Sequence, residues 1–252
     1  MTVDLSALVS YVDDYLRVGE IKDSPAALNG LQAANTGAVS RLAATVDVCR
    51  ATIEQAAKQH ADLLLVHHGL FWSGLQPLTG PYGERVRALI RHDIALYAAH
   101  LPLDVHPDVG NNAVLARMLD LKDQQRFGQY EGQPIGIAGT AALPRGELAK
   151  RIGEILGTKP QVVATGPERV RRIGVVTGAG GKLVAQAAAA GVDTYVTGEA
   201  PHHAYFDAEE LGVNLILAGH YATETVGVKA LAEHLAQRFG LPWEFIDHPT
   251  GL

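Results

Sequence analysis

The chain has 252 residues, 47% of them hydrophobic, which is enough for one large or two smaller globular units with a sizeable buried core. Its 21 Lys and Arg stand against 27 Asp and Glu for a formal charge of -6, and no basic run exceeds the pair Arg171, Arg172, which argues against duplex nucleic acid as a partner. A single cysteine, Cys49, excludes an intramolecular disulfide and cysteine-based zinc chemistry; there is no stretch of about 18 apolar residues to span a membrane, and Asp4, Asp13 and Asp14 stand where a secretory leader needs basic and apolar residues, so a cytoplasmic protein is expected.

Leu5, Leu8, Val9, Val12 and Leu16 recur at helical spacing and predict an amphipathic helix over 3–16. A strand over 42–48, a helix over 51–59 and a strand over 63–66 then make a βαβ unit. A helix over 84–92, a strand over 94–99 and a proline-containing loop over 101–109 follow. The polar, glycine-containing stretch 120–135 reads as the changeover between two halves, 1–125 and 126–252. In the second half, strands are expected over 136–142, 162–164, 173–177, 195–197 and 214–218, with helices over 145–156, 182–190 and 222–239. The alternation implies an α/β fold with mostly parallel sheets flanked by helices.

Histidine is the outlier: of 11, seven (His67, His68, His100, His106, His202, His203, His220) lie near the end of an expected strand. The C-terminal edge of a parallel sheet is where ligands bind. His67 and His68 follow the apolar run Leu63 to Val66, and as neighbours on a strand they can serve one ion only if the chain bends at Gly69, or they can serve two adjacent ions. His100 and Asp104 flank Pro102, and His106 is a weaker candidate of the same kind. His220 and Glu224 stand one helical turn apart and can share a cation. Glu199 is a candidate base, with His202 and His203 beside it as further contacts or as the start of a helix. The run Thr177 to Lys182, Thr-Gly-Ala-Gly-Gly-Lys, fits neither the dinucleotide fingerprint nor the P-loop and reads as a tight strand-to-helix turn, and Cys49 reads as a buried small residue.

Imidazoles combined with carboxylates suit Zn, Fe, Mn, Ni or Co and not Ca or Cu(I). Five or six such ligands exceed the need of one tetrahedral ion and match two divalent metal ions, whose acidified water makes hydrolysis the expected chemistry.

Asn29-Gly30-Leu31-Gln32, Val66-His67-His68-Gly69, His100-Leu101-Pro102-Leu103-Asp104, Thr197-Gly198-Glu199 with His202-His203, and Gly219-His220-Tyr221-Ala222-Thr223-Glu224 resemble, over nearly the whole chain, the type 2 homologues of GTP cyclohydrolase I, the Nif-three-like dinuclear metal-centre proteins. The resemblance implies two interleaved α/β halves forming one integrated unit, with the metal site between them. Its ligands fall on His67, His68 and Asp104 of the first half and His220 and Glu224 of the second, leaving His100 beside the site. It also implies a toroidal homohexamer and a small-molecule substrate. The expected function is a metal-dependent hydrolase of a phosphorylated or nucleotide-like molecule, with Glu199 or His100 assisting proton transfer. The alternative is a non-catalytic metal-binding regulatory or metallochaperone-like scaffold.

Overall fold

A computed structural model describes residues 2–251 and divides the chain into two compact units. The first comprises Met1–Val109 and Gly227–His248, the second Gly110–Val226 and Pro249–Leu252. This corrects the expected boundary at 125/126. The last segment returns to the first unit because the strand Trp243–Phe245, absent from the sequence reading, pairs in parallel with Leu42–Asp47.

The first unit is built on a five-stranded sheet in the order Trp243–Phe245, Leu42–Asp47, Leu63–His68, Ala95–Ala98, Gly30–Ala33. All joins are parallel except the last. Leu64, Val66, Leu96 and Ala98 pack with Ile53 and Ala56 of the helix Arg50–Lys58 and with Ala88 and Leu89 of the helix Gly80–His92. Leu63 and Leu65, on the opposite face, are equally buried. A strand covered on both faces needs an unbroken apolar run, which is why this one shows no alternation. The first helix spans Leu5–Leu16, capped by the Asp4 carboxylate, which accepts from the Ala7 amide at 3.0 Å. Cys49 is half-buried at the N-cap of Arg50–Lys58, where its amide donates to Thr52 Oγ1, so it is not the core residue expected.

The second unit carries a six-stranded mixed sheet, ordered Lys122–Tyr130, Gln133–Pro144, Arg169–Val176, Thr194–Thr197, Asn214–Leu217, Gln161–Val163. Only the joins of Thr194–Thr197 to its two neighbours are parallel. The first of these strands occupies the stretch read as a changeover. It is an edge strand exposed along most of its length, so its polar residues face water rather than marking a linker. Leu148 and Ile152 of the helix Arg145–Leu156 and Leu115 and Ala116 of the helix Asn111–Met118 close one face over Ile173, Val175, Val196 and Ile216. The helix His220–Phe239 begins in the second unit and continues, from Gly227, in the first. Among the described residues, no helix is long and apolar enough to cross a membrane.

Candidate metal centre

In the first unit the strand Leu63–His68 runs through both histidines rather than stopping at Val66. Alternation puts His67 on the face of Leu63 and Leu65 and His68 on the face of Leu64 and Val66. Their ring centroids nevertheless lie 4.8 Å apart at the strand's end. The neighbouring strand ends at Ala98, and His100 caps a single helical turn, Leu101–Asp104, where a loop was expected. The His100 ring lies 5.0 Å from that of His67 and 5.8 Å from that of His68, centroid to centroid. Asp104, 8% exposed, brings Oδ2 to 3.6 Å from His67 Nε2, longer than a hydrogen bond.

What orients these rings was not read from the sequence. His67 Nδ1 lies 2.8 Å from the Ala99 carbonyl oxygen, and His68 Nδ1 lies 2.8 Å from Asp47 Oδ1. His100 Nδ1 lies 2.9 and 3.0 Å from the two oxygens of Asp23. Asp23 also accepts from Asn29 Nδ2 and from the amides of Ser24 and Leu101, while Asn29 Oδ1 accepts from the His100 amide at 2.7 Å. Burial raises the Asp23 pKa, but these donors, His100 foremost, outweigh it and hold the carboxyl below its ordinary value. Gln32 fixes the turn after His68: its Oε1 accepts from the Leu70 amide, and its Nε2 donates to the carbonyls of Ala27 and Leu28. A Cβ at Gly69 would come within 2.3 Å of that amide group, so a side chain there would displace Gln32 from these hydrogen bonds. Trp72 sets its edge against the His100 ring at 4.7 Å, centroid to centroid.

In the second unit the i,i+4 pair forms as expected, with His220 Nε2 3.2 Å from Glu224 Oε2. Glu199 stands on the other side of the ring, its Oε1 2.9 Å from His220 Nδ1, so its contact orients His220. Glu224 is buried and His220 is partly so. The burial that opposes charge on His220 is outweighed by the hydrogen bonds and charges of Glu224 and Glu199, and its pKa is pushed up to about 9.

Close backbone packing places the pair. A Cβ at Gly198 would meet Gly178 O and His220 Cα, each at 2.7 Å, and Thr223 Oγ1 at 2.8 Å; Thr223 Oγ1 accepts from the Gly178 amide. Gly178, at φ +63°, faces the pair, since a Cβ there would lie 2.0 Å from Glu224 Oε1. The glycine-rich run after Val176 is therefore a packed turn, with Gly181 N bonded to Glu199 O. His202 and His203 are exposed; His203 caps the helix Ala204–Leu211, and the His202 ring meets Phe206 edge-on. His106 is held by local contacts, its Nδ1 accepting from the Asp108 and Val109 amides and its Nε2 donating to Tyr15 O.

The donor set fits divalent metal. In a metal-ligating histidine the nitrogen away from the ion bonds a carboxylate or carbonyl, which sets the tautomer and raises basicity. His67, His68, His100 and His220 all have Nδ1 engaged in this way. Carboxylates stand beside two of them, Asp104 by His67 and Glu224 by His220.

Residues 3–250 match the model of the Duf34/NIF3 family (NGG1p interacting factor 3). A Deinococcus radiodurans protein named GTP cyclohydrolase 1 type 2 homolog is 49% identical over 97% of this chain and 93% of its own length. A Halobacterium salinarum protein of the same name is 45% identical over 99% of this chain and 100% of its own. A crystal structure of a Thermus thermophilus protein, 42% identical, superposes with a TM-score of 0.89 over 99% of this chain and all of that one. The chain belongs to the Duf34/NIF3 family.

Proposed function

We propose that the protein is a dinuclear metal-dependent hydrolase acting on a small phosphorylated or nucleotide-like molecule. His67, His68, Asp104, His220 and Glu224 hold two divalent ions drawn from Zn, Fe, Mn, Ni and Co. The observation that carries this reading is that four histidines share one arrangement, each with Nδ1 engaged by an oxygen, which makes Nε2 the ring nitrogen that would meet an ion. Bound ions would supply an acidified water at neutral pH and Lewis-acid polarisation of a substrate oxygen. The chain's own part is to hold the imidazoles in one tautomer through Asp47, Ala99 and Glu199. Glu199, half-exposed, or His100, held by Asp23, serves as the proton relay. The name of the curated relatives supports a nucleotide-like substrate.

The family resemblance would make the protein a homohexamer. Elemental analysis of untagged protein purified without chelator, against His68→Ala and Glu224→Ala, tests the metal assignment. A hydrolysis screen of the metal-replete protein over nucleotides and phosphorylated metabolites, GTP included, tests the activity. Two ions per chain with turnover is the expected result. Two ions without turnover would favour the scaffold reading, and absence of metal after supplementation would refute both.

A further inference from the structure

Trp72 stands beside the proposed metal centre and outside its ligand set. Gln32 holds the Leu70 amide, Leu70 is buried and Phe71 packs against the core of the first unit, so the chain is fixed as far as Phe71. The Phe71 carbonyl then accepts from the Gly74 amide at 2.8 Å, closing a turn that holds the Trp72 backbone. From Trp72 to Gly80 every residue is exposed. The indole lies at the end of the strands, its centroid 4.7 Å from that of His100 and 5.7 Å from that of His68. Its plane stands at 84° to the first ring and 80° to the second, and among the described residues no ring is stacked on it.

Support of His100 does not account for so large a ring at this place. That imidazole is already held by both oxygens of Asp23, and Asn29 takes its amide. A structural indole bonds its N–H to the chain, as Trp243 does in donating to Glu233 at 2.8 Å. Trp72 is 36% exposed, and its N–H donates to no other described residue. An indole in this setting offers a flat, polarisable face and one donor. Nucleobases are recognised by such faces, because every base has a π-face to stack, whereas a sugar phosphate has none.

We infer that Trp72 is the stacking platform for a heteroaromatic base, so that the substrate is a nucleotide rather than a non-aromatic phosphorylated metabolite. The inference rests on the hydrolase reading above and narrows its substrate class. A base stacked on the indole, at a centroid separation of roughly 4.5–7 Å, adjoins His68 and His100. Trp72 thereby determines specificity and binding.

The test uses the full, metal-replete chain carrying Trp243→Phe, which leaves Trp72 as the single tryptophan. GMP, AMP and UMP are titrated against ribose 5-phosphate, which has the sugar and phosphate but no base, with Trp72 fluorescence and calorimetry as readouts. The nucleotides should quench Trp72 to saturation, and ribose 5-phosphate should not. This measurement keeps Trp72 in place and so does not depend on the folding of a Trp72 variant. In the wild-type background Trp72→Ala should raise the Kd of the tightest nucleotide roughly 5- to 150-fold, the range for removing one stacked base, and Trp72→Phe should restore most of it. Metal content and the Kd of ribose 5-phosphate should stay as in wild type. Leu75→Ala, whose side chain is fully exposed in the same segment, should change none of these values. A ring that only braced the imidazoles would change metal content and every Kd together. Equal affinity for nucleotides and ribose 5-phosphate, or binding of none of the four probes, would overturn the inference. If the nucleotides bind through Trp72 and no compound of the hydrolysis screen turns over, the stacking platform stands and the hydrolase reading fails. If a nucleotide is hydrolysed with Kd and KM unchanged in Trp72→Ala, the hydrolase reading stands and the stacking platform fails.

Discussion

Gly178→Ala would move one proposed ligand without changing the chemistry of any. The residue sits at φ +63°, where an L side chain costs roughly 1–2 kcal/mol. For a chain of this size that cost alone lowers Tm by roughly 2–8 °C. The new Cβ would stand 2.0 Å from Glu224 Oε1, whereas ordinary contact begins near 3.4 Å, so the carboxylate must retreat by about 1.4 Å. His220 Nε2, already at 3.4 Å from that position, can stay. Metal–oxygen bonds are about 2.0–2.2 Å long, and a retreat of this size breaks one. The expected result is a metal Kd raised roughly 10–100-fold or more, the range found for removing a mere supporting contact. Gly157→Ala is the control. It has φ +67° at a helix C-cap with nothing within 4 Å, so it carries the same backbone strain and leaves the site alone. Chelator-competition titrations beside thermal melts of the metal-free proteins separate the two effects. If both variants lose the same Tm and both keep wild-type metal affinity, Glu224 is not a ligand.

The supporting carboxylates should show a hierarchy: Asp47→Asn and Asp23→Asn each weaken metal binding, by about 10–100-fold where the ring is a ligand, with Asp23→Asn costing more stability because its carboxylate is 5% exposed and holds four partners while that of Asp47 is 40% exposed. Calorimetric titration with melts would check it. The pH response of the metal-free protein follows from His220. A folded pKa of about 9 against the ordinary 6.5 means that its contacts with Glu199 and Glu224 stabilise fully below about pH 6.5 and are lost as pH rises through 9. Tm should fall across that window in wild type and not in His220→Ala, while metal affinity, which requires the proton to leave, should rise across it. Leu64→Ala, beneath the strand end that carries His68, should cost about 2–5 kcal/mol by denaturant unfolding, since Leu64 is fully buried against the helix layer.

Elements whose burial shows in local pattern were legible along the chain. The helix Arg145–Leu156 has the bounds that its periodicity predicts, and the strand at Leu63 is marked by its unbroken apolar run. Lys122–Tyr130 was not legible, because an exposed edge strand carries the composition of a loop and is defined by its pairing with Gln133–Pro144. The return of Trp243–Phe245 was hidden for a related reason. Three residues carry no period, and the strand exists because Leu42–Asp47 offers it an edge.

The same division runs through the site. His67, His68, His220 and Glu224 could be picked out as candidates because the end of an apolar strand and helical i,i+4 spacing are both local signals. Asp23 and Asp47 could not, because nothing in their own neighbourhood says what they hold: Asp23 reaches His100 across 77 positions and Asp47 reaches His68 across 21. Their placement still follows from the fold. Asp47 and His68 are register partners on adjacent parallel strands, so the last residue of one strand meets the last residue of the next at the same edge. In a parallel sheet, where neighbouring strands finish at one side, a histidine at a strand end therefore has its supporting acceptor at the end of the adjoining strand. Ala99, just past the end of Ala95–Ala98, does this for His67, and Asp47 does it for His68.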